Sequence, residues 1–140
     1  MLLAMVVRYN EGMAKYNEMG LIEELDDGGA FVFGNNGAGA HMGGTVAMAV
    51  AKFGGIYGQA VGLQGQSYAL NTTDGCEVTA EQVARFIEFA REYLELTFYV
   101  TEIGCGIAGY SPEEVAPLFK DAPKNVVLPE AFSKFYSVEE

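Results

Sequence analysis

Two glycine-rich loops constrain what this chain can become, because each follows a short apolar run and each leads into a helix start. The first is Phe31-Val32-Phe33-Gly34-Asn35-Asn36-Gly37-Ala38-Gly39-Ala40-His41-Met42-Gly43-Gly44, which continues into the alanine-rich stretch Thr45–Ala51. The second is Phe98-Tyr99-Val100-Thr101-Glu102-Ile103-Gly104-Cys105-Gly106-Ile107-Ala108-Gly109-Tyr110, which continues into Ser111-Pro112-Glu113-Glu114. A strand that passes through glycines onto a helix N-terminus presents unpaired backbone N–H groups, and these favour an anion. Two such loops in one small domain imply a pocket for a diphosphate-containing ligand.

A chain of 140 residues is one domain's worth. At that size roughly two-thirds of the unfolded surface can be buried. Half the residues are hydrophobic, with nine Phe and eight Tyr, so a packed core is expected. The glycines cluster between positions 28 and 65 and again between 104 and 109, which indicates tight loops and not a flexible linker. The formal charge is −11 with eight scattered basic residues. That composition argues against non-specific nucleic-acid binding, which needs clustered Lys and Arg. It leaves room for one small anion, because local N–H groups can outweigh a diffuse field inside a pocket.

The N-terminal run Met1–Val7 is apolar but lacks the basic region and small-residue cleavage site of a secretion signal. No run reaches the ~18 apolar residues of a membrane span. A cytoplasmic protein without membrane contact is expected, with Cys76 and Cys105 reduced. Cys105 would need a base to act as a nucleophile, and the single histidine, His41, has no sequence reason to lie beside it. The plainer reading of Cys105 is a small residue in a tight loop. One His and two distant Cys do not build a zinc site, so no metal and no cofactor are expected.

Along the chain, Leu2, Met5, Val6, Tyr9, Met13, Tyr16, Met19 and Ile22 follow a partly helical spacing. Residues 1–28 are therefore expected to be a helical or irregular segment, able to dock on the domain or to mediate self-association, ahead of an α/β domain over 29–140. Ala30–Phe33 reads as a buried strand. Thr45–Phe53 reads as a helix ended by Gly54-Gly55. Ile56–Gly65 reads as a glycine-punctuated loop or short strand, and Ser67–Thr72 as a second strand. Thr79-Ala80-Glu81-Gln82 has the form of a capping box, opening a helix with Val83, Phe86, Ile87, Ala90 and Leu94 on one face. Leu96–Ile103 is the third strand. Ser111-Pro112-Glu113-Glu114 starts another helix, with Pro112 at its first position. Asn125–Leu128 is a fourth strand, and the tail from Pro129 onward forms a final helix or frays. This alternation implies an α/β layered fold with a largely parallel sheet. Ligands of such sheets bind outside the carboxyl ends of the strands, where both glycine loops should fall.

Neither loop ends in the Gly-Lys-Ser/Thr of a phosphate-binding P-loop. Gly37-x-Gly39-x-x-x-Gly43 is a weak dinucleotide fingerprint, and no acid lies between Asp27 and Asp74 to hold a ribose.

The arrangement resembles the macro domain, the module that recognises ADP-ribose. In that family a strand ends in asparagines and a glycine-rich loop opens a helix, as in Val32-Phe33-Gly34-Asn35-Asn36 followed by Gly37–Gly44. A later strand ends in a second glycine loop that wraps the diphosphate and distal ribose. Ile103-Gly104-Cys105-Gly106 is similar to the branch that removes ADP-ribose from glutamate or from DNA bases, and Gly65–Thr72 corresponds to that branch's central strand. The resemblance covers residues 30–128; the stretch also resembles uncharacterised bacterial and phage-encoded proteins. It implies a three-layer macro-like α/β fold with a mixed, largely parallel central sheet. It also implies an ADP-ribose-like small-molecule ligand held by Gly34, Asn35, Asn36, Gly37, Gly39, His41, Gly43 and Gly44 and by Gly104, Cys105, Gly106, Ile107, Ala108, Gly109 and Tyr110.

The departures keep other readings open. The hydrolytic branch uses a lysine after its central strand and an aspartate after the Gly-Cys-Gly turn. Here Asn71, Thr72 and Thr73 stand at the first place and Ile107, Ala108 and Gly109 at the second. Asp74 or Glu102 could replace them if its side chain enters the cleft, which gives an ADP-ribosyl hydrolase with a non-standard acid. An interaction protein of phage type that lost the ligand is the third reading. His41 could contact a phosphate or simply be solvated; Tyr110 could cover a ring of the ligand or pack where the helix begins. Gln64 and Gln66 could line the cleft or satisfy loop backbone.

Overall fold

The computed structural model describes residues 5–9, 12–16, 22–35, 44–56, 58–59, 61–105 and 109–133, with backbone only at 5–9, 12–16, 23, 44–47 and 133. Eight strands are described: β1 Met5–Tyr9, β2 Gly12–Tyr16, β3 Ile22–Leu25, β4 Gly29–Asn35, β5 Gly62–Gln64, β6 Ser67–Asn71, β7 Thr97–Val100 and β8 Val126–Val127. The helices are α1 Gly44–Lys52, α2 Cys76–Glu92, α3 Pro112–Val115, followed by a 3-10 turn over Ala116–Phe119, and α4 Glu130–Ser133. The main sheet has the order β5-β6-β4-β7-β8. β4 pairs in parallel with both β6 and β7, β7 pairs in parallel with β8, and β5 runs antiparallel to β6 at one edge. The fold is α/β around a mixed, mostly parallel sheet.

β4 is central because both of its faces are apolar. Ala30 and Val32 point into one core with Leu70, Val83, Phe86, Phe98 and Phe119. Phe31 and Phe33 point into the other with Ala49 and Phe53 from the α1 side and Ile22 from β3. A strand with no polar alternation can be satisfied only by cover on both sides. The first core holds Phe86 and Phe98 edge to face at 5.3 Å, and Phe119 stacks on Phe132 of α4 at 5.9 Å. Burying one such ring stabilises the fold by roughly 1.5–3 kcal/mol.

The N-terminal region corrects the helical expectation. Met5–Tyr9, Gly12–Tyr16 and Ile22–Leu25 form a three-stranded antiparallel sheet, β1-β2-β3, in which Tyr9 pairs with Gly12 and Ala14 with Leu25. The apolar spacing there fits either period over so short a run, and Met5, Val7 and Tyr9 also alternate. Strand pairing, which is non-local, decided between them. The meander lies against β4, with Ile22 buried beside Phe31 and Phe33.

α2 begins one turn earlier than the Thr79 capping box implies. Its N-cap is Gly75 at φ 104, with no side-chain cap. Thr79 sits inside the helix and donates its hydroxyl to the Gly75 carbonyl at 3.0 Å, while Gln82 Oε1 accepts the Asn71 backbone N–H at 3.2 Å. Both capping partners are thus committed elsewhere. The buried face is as expected for Val83, Phe86, Ile87 and Ala90. Leu94 lies past the helix end and is exposed. Asn125, fully buried, closes that end by donating its amide to the carbonyls of Ala90, Tyr93 and Leu96.

The local punctuation of α1 and α3 holds as expected. Gly54 adopts φ 79 after α1, which lets the Gly55 N–H turn back to the Ala49 carbonyl at 2.8 Å. At α3 the Ser111 Oγ accepts the Glu114 N–H at 3.2 Å, and Glu114 Oε1 accepts the Ser111 N–H at 2.9 Å, a reciprocal capping box. Among the described residues no helix is long and apolar enough to cross a membrane.

Candidate functional site

Since β4, β6 and β7 run parallel and adjacent, their carboxyl ends share one edge. There the two glycine-rich loops start side by side. A Cβ placed on Gly34 would stand 3.6 Å from the Gly104 backbone nitrogen and 2.9 Å from Thr72 Oγ1. Gly34 is therefore glycine for a packing reason: Thr72, at the end of β6, occupies the space a side chain would need. The Thr72 N–H donates to the Asn35 carbonyl at 2.9 Å, and Thr101 donates both its N–H and its hydroxyl to the Val32 carbonyl. These contacts fix the spacing of the three strand ends.

The first loop is only partly in view. Asn36, Gly37, Gly39, His41 and Gly43 lie outside the described residues, and Gly44 is the first residue of α1. Asn35 is 2 % exposed, and its Nδ2 lies 3.5 Å from the Gln59 carbonyl, a long contact directed into the protein. Asn35, one of the two asparagines expected at the ligand, thus sits inside the sheet edge.

The second loop begins with Gly104 at φ 76 and ends with Gly109 at φ 82. The Tyr110 N–H donates to the Gly104 carbonyl at 2.8 Å, so the segment closes on itself. Gly106, Ile107 and Ala108 lie outside the described residues. Tyr110 packs its ring against Gly104 and the first core, which matches the packing alternative stated above. Cys105 is half-buried, and its thiol donates to the Ile103 carbonyl at 3.6 Å. Burial, and then the carboxylates of Glu102 and Glu114, push that thiol up from about 9 to about 11. A thiol so perturbed is protonated at neutral pH and is a poor nucleophile.

Asp74 is exposed, and its Oδ2 accepts the Asn71 amide N–H at 2.7 Å; Asn71 Oδ1 in turn accepts the Thr73 N–H at 3.2 Å. Glu102 is exposed at the start of the second loop. Among the described residues no group of three or more His, Cys, Asp and Glu could hold a metal ion.

Gln64 and Gln66 satisfy backbone. Gln64 is 2 % exposed; its Oε1 accepts the Ile56 N–H at 2.6 Å and its Nε2 donates to the Gln59 carbonyl at 2.9 Å. Gln66 Nε2 donates to the carbonyls of Asp26 and Gly29.

One concavity lies beside the second loop, a groove of about 310 Å³ lined by Cys76, Thr79, Tyr110, Glu114, Val115 and Leu118. It separates the first turn of α2 from α3 and its 3-10 extension. Of its lining, only Tyr110 belongs to the expected site. Thr79 and Glu114 entered the sequence reading as helix-start residues and Leu118 did not enter it, because no local signal says that two helix starts flank one groove.

No family model matches the chain, and no curated protein or solved structure matches it.

Proposed function

We propose that this chain is a macro-like domain that binds ADP-ribose or a related nucleotide diphosphate at the carboxyl edge of its sheet. The observation that carries the reading is the adjacency of Gly34 and Gly104, 3.6 Å apart as measured from a Cβ position to a backbone nitrogen. It means that both glycine-rich segments leave from neighbouring parallel strands, which is what one diphosphate bridging two loops requires. Helices beginning at Gly44 and Pro112 follow those segments, so the main chain at this edge turns toward helix starts. The ligand grip in this reading is main-chain N–H from residues 36–44 and from the second loop between Cys105 and Tyr110, whose own N–H groups bond to Glu102 and Gly104. Asn35 braces the sheet edge from inside, and Asn36 is left as the ribose partner. The protein works in the cytoplasm in this reading.

Calorimetric titration with ADP-ribose tests it. Saturable heat that disappears in Gly106→Val, with the melting temperature of that variant measured in parallel, supports the reading. The absence of heat at millimolar ligand overturns it.

The hydrolase alternative has one observation in its favour: Asn71 holds Asp74 by a 2.7 Å hydrogen bond just beyond β6. Turnover of ADP-ribosylated protein or DNA that is lost in Asp74→Ala would select that reading, and binding without turnover would select recognition alone.

A further inference from the structure

The groove between α2 and α3 has a chemistry unlike that of an anion site. Its lining is largely apolar in residue type: Val115, Leu118 and Tyr110, with Thr79 beside them. Its rim carries the carboxylate of Glu114 and the exposed thiol of Cys76. Among the described residues no Lys or Arg lines it. The next residue along the chain from Cys76 is Glu77, and the one before Glu114 is Glu113; both are exposed acids. Glu114 Oε1 takes both capping contacts from Ser111, which fixes the carboxylate at the rim.

We infer that this groove receives an arginine side chain presented by an exposed segment of a protein partner. Charge selects the occupant. A phosphate or an acidic peptide would meet Glu114 and its acidic neighbours in a chain of net charge −11. A purely aliphatic ligand would cover Glu114 and desolvate its charge with only the Ser111 contacts to offset the cost. An arginine satisfies every wall. Its methylene stem lies along Val115 and Leu118. Its planar guanidinium stacks on the Tyr110 face and donates to the Glu114 carboxylate. Lysine, a compact and strongly hydrated charge, gains less from the ring. The volume of about 310 Å³ accommodates one such side chain and some backbone. The surplus negative charge also speeds the approach of a basic segment. This inference is separate from the nucleotide reading, since of the groove's lining only Tyr110 belongs to the site expected for the nucleotide.

The test is an NMR titration of the full chain with the peptide Gly-Ser-Arg-Gly-Ser and its citrulline counterpart, a neutral isostere of arginine. Saturable shifts centred on Tyr110, Glu114 and Leu118 are expected. Citrulline should weaken binding about fivefold or more, from loss of the charge-assisted and ring contacts. Glu114→Gln should weaken it similarly, because glutamine keeps the capping-box acceptor and removes only the charge. Tyr110→Leu, which keeps apolar volume and removes the ring, provides a second variant if Glu114→Gln melts early. Glu92→Gln, at the far end of α2, should change nothing. Alkylation of Cys76 by iodoacetamide should slow as the peptide saturates. Shifts spread evenly over the acidic surface, equal binding of the citrulline peptide, or an equal loss in Glu92→Gln would overturn the inference.

Discussion

Gly104 and Tyr110 are fitted so closely that a Cβ on Gly104 would lie 2.9 Å from Cδ2 of the Tyr110 ring. The same glycine stands at φ 76, a conformation that L side chains rarely adopt. Gly104→Ala therefore meets two penalties and should cost about 1–3 kcal/mol. Urea unfolding measures it. Adding Tyr110→Ala should relieve the steric part and leave the backbone part, so the double variant should not recover wild-type stability.

At the neighbouring strand end the constraint is steric alone. Gly34 needs no left-handed backbone, but its missing side chain is replaced by the hydroxyl of Thr72, 2.9 Å from where a Cβ would be. Gly34→Ala should destabilise by about 1–3 kcal/mol as an overpacked site. Combining it with Thr72→Ala should recover part of that loss. A double-mutant cycle with no coupling between the two positions would refute the account.

Gln64 anchors the segment after α1 through two hydrogen bonds made while almost fully buried. Gln64→Leu keeps the volume but strips partners from the Ile56 N–H and the Gln59 carbonyl. A loss of about 1–3 kcal/mol is expected. Amide exchange at Ile56 should accelerate by more than the global loss explains.

The two thiols should separate by reactivity. Cys76 is exposed and Cys105 is half-buried with its thiol pushed up to about 11. Iodoacetamide at pH 8 should modify Cys76 first, and labelling of Cys105 should rise only as pH approaches 11. The linkage has a definite sign. Between about 9 and about 11 the unfolded chain has released the Cys105 proton and the folded chain still holds it. Stability should fall with rising pH across that window, and Cys105→Ala should flatten the slope. Equal alkylation rates for both thiols at pH 8 would rule out the burial of Cys105 as drawn.

Where the signal was local, the residues alone sufficed. The Ser111–Glu114 capping box is four consecutive residues, and its geometry needs nothing beyond them. The end of α1 at Gly54-Gly55 is of the same kind. The buried stripe Val83, Phe86, Ile87 and Ala90 follows from helical period and one apolar face. Thr79 shows the limit. Its capping pattern is intact in sequence, yet Gly75 begins the helix and Asn71 takes Gln82. Local preference lost there to a contact with the end of β6.

The N-terminal meander and the site divide in the same way. A few apolar residues at 5–25 fit a helix or a strand, and pairing with a partner strand supplied the hydrogen bonds that chose. The glycines after β4 and β7 located the carboxyl edge from sequence, because an apolar strand running through glycine into a helix start has few other uses. Their adjacency depended on β4 and β7 being neighbours in the sheet, which strand order decides and spacing does not. Asn35 turned inward to Gln59 and Tyr110 settled on Gly104 for the same reason: a side chain's direction is set by what packs around it from distant parts of the chain. Sequence determined the element types from β4 onward, the end of α1, the start of α3 and the edge at which the loops emerge, since those follow from nearest-neighbour chemistry. Tertiary structure alone decided which side chains face the carboxyl edge of the sheet and that two helix starts enclose a groove, since both depend on surfaces far apart along the chain burying one another.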